Sequence, residues 1–341
     1  MFGAGSLADV GKAVAAFACN RAVVLSTRGQ SALADRVAKA LGGRRAGVFA
    51  GAVMHTPVEV TETALQHLRQ AGGDCIIAVG GGSAIGLGKA LALRTDLPQI
   101  AIPTTYAGSE MTDILGETSG GAKTTQRSSR ILPECVIYDP ELTLSLPVPV
   151  SVTSGFNAMA HAVEALYATD SNPVTCLMAE EGIRAISTAL VRISCTPADL
   201  PSRTGAMIGA WLCGMCLGNS AMALHHKLCH VLGGTFNLPH AETHTVLLPH
   251  AVAFNAAHAS QAMAVVARAL EAPAAAGLYD LAARLGAPLA LKDIGMPQSG
   301  LDRAAEIAVA NPYPNPRPLE RAAIRALLDD AFHGHKPSSD T

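Results

Sequence analysis

Six of the twelve histidines of this chain fall in one stretch, "ALHHKLCHVLGGTFNLPHAETHTVLLPH", residues 223–250: His225, His226, His230, His240, His244 and His250. Imidazole serves as a metal ligand, as an acid or base near neutral pH, or as a cation that receives an anion. A second segment, "SGFNAMAHAVEALYA", places Asn157 and His161 four residues apart, the spacing that also relates His226 to His230. Residues so spaced share a helix face and are presented in one direction. A single histidine on a helix is usually a satisfied core group, whereas several at helical spacing read as a site. His240 follows a proline and is expected at a helix end.

A different chemistry is carried by "IIAVGGGSAIGLGKALAL", which runs from a buried strand through Gly80, Gly81 and Gly82 into a helix opened by Ser83. Glycine permits close backbone approach, and a helix N-terminus offers free N–H groups and partial positive charge to a phosphate. The segment is neither G-x-G-x-x-G nor a Walker A loop. A second loop, "IPTTYAGSEMT", leaves the next strand with Thr104, Thr105 and Ser109 as hydroxyl donors and with Tyr106 as a candidate substrate contact. Two such loops at the carboxyl ends of neighbouring strands form the ligand crevice of an open α/β sheet, which points to a dinucleotide.

The elements that must position these residues differ between the two halves. Up to about residue 140, short β-branched runs ("RAVVLST", "AGVFAGAV", "DCIIAVGG", "QIAIPTT", "CVIYD") alternate with helical patterns, the signature of a parallel sheet covered on both faces. The polar stretch between "QIAIPTT" and "CVIYD" reads as a loop and hairpin. After "DPELTLSLPVPVS" long segments of 3.6-residue period follow, over 152–169, 174–193, 202–219, 222–233, 260–269, 273–285, 299–309 and 318–332. The expectation is an α/β, doubly wound, Rossmann-like dinucleotide-binding domain over residues 1–147 and an all-α domain over 148–341.

With 49% hydrophobic and only 15% charged residues, the 341-residue chain can bury two cores. A net charge of -2 without runs of like charge argues against nucleic acid or a polybasic membrane anchor. The start, "MFGAGSLADVGKAVAAFA", lacks signal-peptide grammar, and the apolar stretch "AMIGAWLCGMCLG" is too short to span a bilayer, so a cytoplasmic protein is expected. The eight cysteines sit mostly in apolar runs, as free thiols do. Cys213 and Cys216 form a lone C-x-x-C that reads as part of a buried helix rather than half a zinc site.

"GGGSAIGLGK", "PTTYAGSEMT", "FNAMAHAVEA" and the histidine-rich stretch resemble, in order and spacing, the iron-containing alcohol dehydrogenase superfamily, and within it the maleylacetate reductases. The resemblance implies NADH-dependent reduction of the C=C bond of maleylacetate or its chlorinated analogues to 3-oxoadipate, in a homodimer. Metal-dependent members hold a divalent ion with an aspartate and three histidines, and the matching positions here are Asn157, His161, His226 and His240. A neutral amide at the anionic position leaves the ion's charge unbalanced, so no catalytic metal is expected. Gly86 stands where those members commonly carry an aspartate, and the second loop is shorter than theirs. Relatives also carry a further strand ahead of "FGAGS": either the true start lies upstream of Met1, the favoured reading, or the sheet has lost an edge strand.

On this reading His161, His226 and His240, with Asn157 and Lys227, form the catalytic pocket that stabilises an enolate and delivers a proton. Lys227, His225, His230 and, from the long loop, Arg127 or Lys123 are candidates to neutralise the dicarboxylate. Arg28, where an acid would otherwise hold a ribose 2′-hydroxyl, implies that NADPH is tolerated beside NADH. The alternatives are a metal-dependent alcohol or polyol dehydrogenase that uses Fe or Zn, a lyase like dehydroquinate synthase, and a non-catalytic nucleotide sensor.

Overall fold

Alternation of side chains along the first-half strands assigns each residue a face, and both faces are buried. The computed structural model describes residues 1–120, 122–311 and 313–337, and its backbone contacts separate two units, Met1–Leu146 and Pro147–Thr341. In unit 1 five parallel strands, β1 (Ala22–Leu25), β2 (Arg45–Phe49), β3 (Cys75–Gly80), β4 (Gln99–Pro103) and β7 (Cys135–Val136), lie in the order β2-β1-β3-β4-β7. Between β4 and β7 the expected hairpin is present as β5 (Ile114–Ser119) and β6 (Ala122–Arg127).

Val24 of β1 and Ile77 of β3 pack with Val10, Val14 and Val37 of helices α1 (Val10–Ala16) and α2 (Ser31–Ala40). Their neighbours Val23 and Ile76 pack on the other face with Leu65, Leu68, Leu87 and Leu91 of α3 (Val58–Gln70) and α4 (Gly82–Thr95). Every residue of β1, β3 and β4 is buried, as central parallel strands with both faces covered require. This is the doubly wound arrangement. Met1–Gly3 runs beside β7: the Met1 amine donates to Val136 O at 2.7 Å and Tyr138 N–H to Met1 O at 2.9 Å.

A lysine holds the loop after β4. Lys89 Nζ, buried on α4, donates to Ser109 O, Thr112 O, Thr112 Oγ1 and Ile114 O at 2.5, 2.7, 2.8 and 3.0 Å. Burial pushes this amine down to about 7, but every neighbour is an acceptor, and only an ammonium has three protons to share among four oxygens. Nearby, Tyr138 OH donates to the buried Glu110 carboxyl at 2.7 Å.

Unit 2 consists of helices, nine of them among the described residues: α5 (Val148–Leu166), α6 (Pro173–Cys195), α7 (Leu200–Asn219), α8 (Leu224–Phe236), α9 (His240–Asn255), α10 (Ser260–Leu270), α11 (Ala274–Arg284), α12 (Leu301–Ala310) and α13 (Arg321–His333). Every residue of α5 from Ser151 to Leu166 is buried, so this helix is the axis about which the unit packs. Cys213 and Cys216 are buried in α7.

Helix α9 is absent from the periodicity reading. Pro249 lies inside it and breaks the pattern that identifies a helix, although the missing N–H removes only one bond. His240 accordingly opens a helix, with Pro239 as its N-cap residue. Among the described residues no single helix is long and apolar enough to cross a membrane.

Replacing Lys89 by methionine would leave several buried oxygens without a donor. Urea unfolding followed by circular dichroism should show a loss of about 3 kcal/mol; an unchanged midpoint would mean that the ammonium contributes nothing to the loop.

Candidate active site

In unit 2, Asn157, His161 and Glu164 occupy successive turns of one face of α5 and are 5%, 4% and 0% exposed. A buried carboxylate is costly unless it is fully hydrogen-bonded. Glu164 Oε2 accepts from Ala223 N–H at 2.8 Å, and Oε1 from His225 N–H at 2.7 Å. These are unsatisfied amides at the start of α8, whose N-cap residue, Ala223, has no side chain able to cap it. Glu164 is thus an N-cap supplied by another helix, and the α8 dipole favours its charge.

The same carboxylate lies 2.7 Å from His226 Nδ1, and His226 Nε2 lies 2.8 Å from His161 Nδ1. Because Glu164 already faces two N–H donors, it acts as an acceptor, and His226 must carry its proton on Nδ1. In the neutral ring Nε2 then accepts from His161 Nδ1–H. Hydrogen bonding therefore assigns both tautomers, with His161 Nε2 at the far end of the chain.

Four more histidines extend the cluster. His225 Nε2 and His244 Nδ1 are 2.9 Å apart, and Cys229 Sγ is 3.6 Å from the same His225 nitrogen. The His240 ring stands 4.4 Å from that of His244, and His230 stands 6.3 Å from His226. Burial, followed by the neighbouring imidazoles, pushes His225 and His244 far below the ordinary histidine range. The inner pair is neutral. His225 Nδ1, His244 Nε2 and Asn157 Oδ1 are buried with no hydrogen-bond partner among the described residues.

The donors do not suit a divalent cation as they stand. Asn157 is neutral, both Glu164 oxygens are engaged, and the facing nitrogens of His161 and His226 are directed at each other. His225, Cys229 and His244 also converge, with one ligand atom from each lying within 4.8 Å of the others. Two nitrogens on a tetrahedral zinc stand about 3.3 Å apart, so the 2.9 Å contact between His225 and His244 reads as a shared proton.

The remaining residues expected of this pocket fall as follows. Lys227 is half-buried with Nζ 5.5 Å from the Tyr313 ring centroid, His230 is exposed, and His225 is fully buried and neutral rather than a cation for a carboxylate. In unit 1, Arg127 is paired with Asp113 at 3.2 Å, and Tyr106 is 0% exposed within its loop. The side chain of Lys123 lies outside the described residues.

The two loops of unit 1 expected to hold a nucleotide come together. Gly80 has φ +146°, and a Cβ there would stand 2.5 Å from Gln30 Oε1. Gln30 Nε2 donates to Thr104 Oγ1 at 2.7 Å, and Thr104 N–H to Gly80 O at 3.1 Å. A Cβ on Gly81 would stand 3.0 Å from the Thr105 methyl, so the two loops touch. Gly82 opens α4, one residue before the expected Ser83, which lies in its first turn. Ser109 Oγ is buried with no partner among the described residues. The free amides at the start of α4 beside Thr104 and Thr105 suit a pyrophosphate. Gly86 abuts Thr56, whose Oγ1 would lie 2.6 Å from an added Cβ, so an aspartate does not fit there without displacing Thr56.

Reasoning from sequence missed Glu164, Gln30 and the role of His244. Two of these had a signal: His244 is four residues beyond His240, and Glu164 is three beyond His161.

Comparison with known proteins agrees with this architecture. Residues 1–140 match the family described as iron-containing alcohol dehydrogenase, and residues 151–332 match the C-terminal part of the same family. A maleylacetate reductase of Burkholderia cepacia is 58% identical over 99% of this chain and 96% of its own length. One from Rhizobium sp. strain MTP-10005 is 55% identical over 99% and 96%. The crystal structure of maleylacetate reductase from Agrobacterium tumefaciens superposes with a TM-score of 0.96 at 56% identity, covering 99% and 96% of the two chains.

The neutral histidines make stability depend on acid. The unfolded chain takes up protons at histidine below about pH 6.5, whereas folded His225 and His244 resist them and His250 is lowered to about 4 by burial. Stability should therefore fall as pH drops from 6.5, by at most about 1.4 kcal/mol per pH unit for each of the three. Urea unfolding at pH 7 and pH 5 should differ by about 5 kcal/mol in total; equal midpoints would mean that these imidazoles are charged in the fold.

Proposed function

The chain belongs to the iron-containing alcohol dehydrogenase family and is an oxidoreductase, and we propose that, without a catalytic metal, it reduces the C=C bond of maleylacetate to 3-oxoadipate and that of substituted maleylacetates to the correspondingly substituted products, a 2-chloro substrate first taking hydride at the chlorine-bearing carbon and losing chloride to give maleylacetate, which a second reduced nicotinamide then reduces. The observation that carries this reading is the Glu164–His226–His161 chain beside Asn157. It is a hydrogen-bonded proton source where metal-dependent relatives place a Lewis acid.

Bound reduced nicotinamide supplies a hydride. The acceptor is the alkene carbon β to the ketone, which leaves charge on the ketone oxygen as an enolate. Stabilising that oxygen is work for donors aimed at developing charge, and Lys227, His240 and the amide of Asn157 are the groups of this kind in unit 2. His161, when it carries a second proton at Nε2, supplies it to the adjacent carbon. Lys227 and His230, the more exposed basic side chains of α8, receive the carboxylates. Gly80, Gly81, Gly82, Ser83, Thr104, Thr105 and Ser109 hold the nucleotide.

Arg28 supports acceptance of both NADH and NADPH. It follows β1 and lines a cavity of about 400 Å³ with Val48, Phe49, Ala50, Gly51, Val60 and Thr63, a lining that contains no carboxylate to repel a 2′-phosphate. A homodimer in the cytoplasm, acting on a small dicarboxylate, completes the proposal.

The test is nicotinamide oxidation by purified protein with maleylacetate, with and without EDTA, alongside metal analysis. Turnover with NADH that ignores the chelator, and measurable turnover with NADPH, is the expected result. One equivalent of iron or zinc with activity abolished by EDTA would instead make the protein a metal-dependent dehydrogenase.

A further inference from the structure

Helices α6 and α7 form an antiparallel hairpin. A Cβ on Gly182 of α6 would stand 2.8 Å from Cys213 Sγ and 3.4 Å from Gly209 O, and one on Gly209 of α7 would stand 2.6 Å from Ile186 Cγ1. Cys216 Sγ lies 3.7 Å from Thr175 O. The backbones thus touch through glycine, in a register that sets the first two turns of α6 beside the last two of α7. A Cβ on Gly155 of α5 would stand 2.9 Å from Leu190 Cδ1, so the inner face of the hairpin packs on the axial helix.

The outer face is apolar as well. Val174 and Leu177 of α6 are 65% and 71% exposed, and Ile208 and Trp211 of α7 are 36% and 37% exposed. They are four of the five large apolar side chains exposed among the described residues of unit 2. Met178 and Met215 are half-buried on the same stripes. Along α7 the spacing of Thr204, Ile208, Trp211, Met215 and Asn219 is that of one stripe, apolar in the middle and polar at its ends. Solitary apolar side chains on a surface need no explanation, whereas a contiguous group marks a contact.

Charge decides what can cover it. From Thr204 to His226 the chain has no Asp, Glu, Lys or Arg, and the two acids of α6, Glu180 and Glu181, are paired with Arg268 and Arg184. A membrane surface is recognised by unpaired lysines and arginines flanking an apolar face, and the α7 stripe has none. A second copy presents the identical uncharged stripe, which leaves no charge unpaired and is self-complementary about a two-fold axis. The area agrees. On side chains of roughly 150–250 Å² each, the four exposed fractions amount to about 400 Å² per copy, or about 800 Å² for two. A standard interface of about 1,600 Å² is about 57% apolar, which is about 900 Å².

We propose that this face seats a second copy of the chain, with the two α7 helices crossing antiparallel beside Trp211. Ile208 then meets the partner's Met215, and Thr204 meets the partner's Asn219. Trp211 lies at the centre, where binding energy concentrates. Leu177 and Val174 extend the contact along α6. The proposal gives a surface to the homodimer of the preceding reading and rests on that part of it alone.

Trp211 is the only tryptophan of the chain, so its emission reports on this face alone. Sedimentation velocity and fluorescence are recorded at nanomolar and micromolar protein for wild type, Ile208→Glu, Leu177→Glu and the conservative Ile208→Leu. Folding is checked by circular dichroism, and NADH oxidation with maleylacetate is read in parallel. Wild type should be a dimer at micromolar concentration whose emission moves to the red on dissociation. Each glutamate variant places a carboxylate in the contact and should raise the dimer Kd at least about thirtyfold, with the red-shifted emission of the monomer, while Ile208→Leu preserves both dimer and emission.

A dimer with the same Kd and emission in Ile208→Glu and Leu177→Glu as in wild type uses another surface and overturns the proposal. If one variant loses its helical spectrum, the other, on the other helix, decides. Wild type that stays monomeric at micromolar concentration overturns the homodimer reading and the proposal together. A patch-dependent dimer that fails to turn over maleylacetate supports the proposal and overturns only the reductase reading.

Discussion

The buried carboxylate of Glu164 is the interaction on which the helical unit depends. It ties three things together: the most buried helix, the start of α8 and the histidine cluster. An ionised carboxylate without surface exposure is stable only when its lone pairs are occupied, and here two backbone amides and an imidazole occupy them. The cap of α8 and the orientation of the histidine rings are therefore one device. Whatever fixes the first turn of α8 also fixes which nitrogen of His226 carries its proton, and through it which nitrogen of His161 does.

Unit 1 solves the converse problem with a buried cation. The Lys89 ammonium is surrounded by carbonyl and hydroxyl oxygens of the segment 109–114, so the loop that carries Ser109 is held by its own backbone acceptors. Thr104 is fixed from another direction, by Gln30 and by the Gly80 carbonyl. The two loops are in this way held by Lys89, Gln30 and the Gly80 carbonyl. This leaves the amides at the start of α4 available for a nucleotide.

What the sequence disclosed and what it concealed follow from how far apart the partners lie in the chain. The strands of unit 1 are apolar runs flanked by glycine and polar turns, and the Asn157–His161 pair is a local spacing, so both are legible. Glu164 is not, because a glutamate in "HAVEAL" has the appearance of an ordinary helix former, and its partners lie 59–62 residues away. Helix α9 was hidden by Pro249, a local signal overridden by packing. Tyr106 is a different case. It stands in a loop expected to meet ligand, yet its side chain is wholly enclosed, and no local pattern distinguishes the two situations.

The crowding of the histidines also limits what the site can do with charge. Neighbouring rings stand with centroids 4.4–5.4 Å apart. Two positive charges at such a distance repel by roughly 3 kcal/mol even at an effective dielectric constant of about 20, so the cluster cannot be a general cationic pocket. Burial first, and this repulsion after it, keeps His225 and His244 neutral. A proton taken up by the cluster is best stabilised along the branch that ends on a carboxylate. Among the described residues that branch is His161–His226–Glu164. His225 and His244, by staying neutral, confine the charge to that chain.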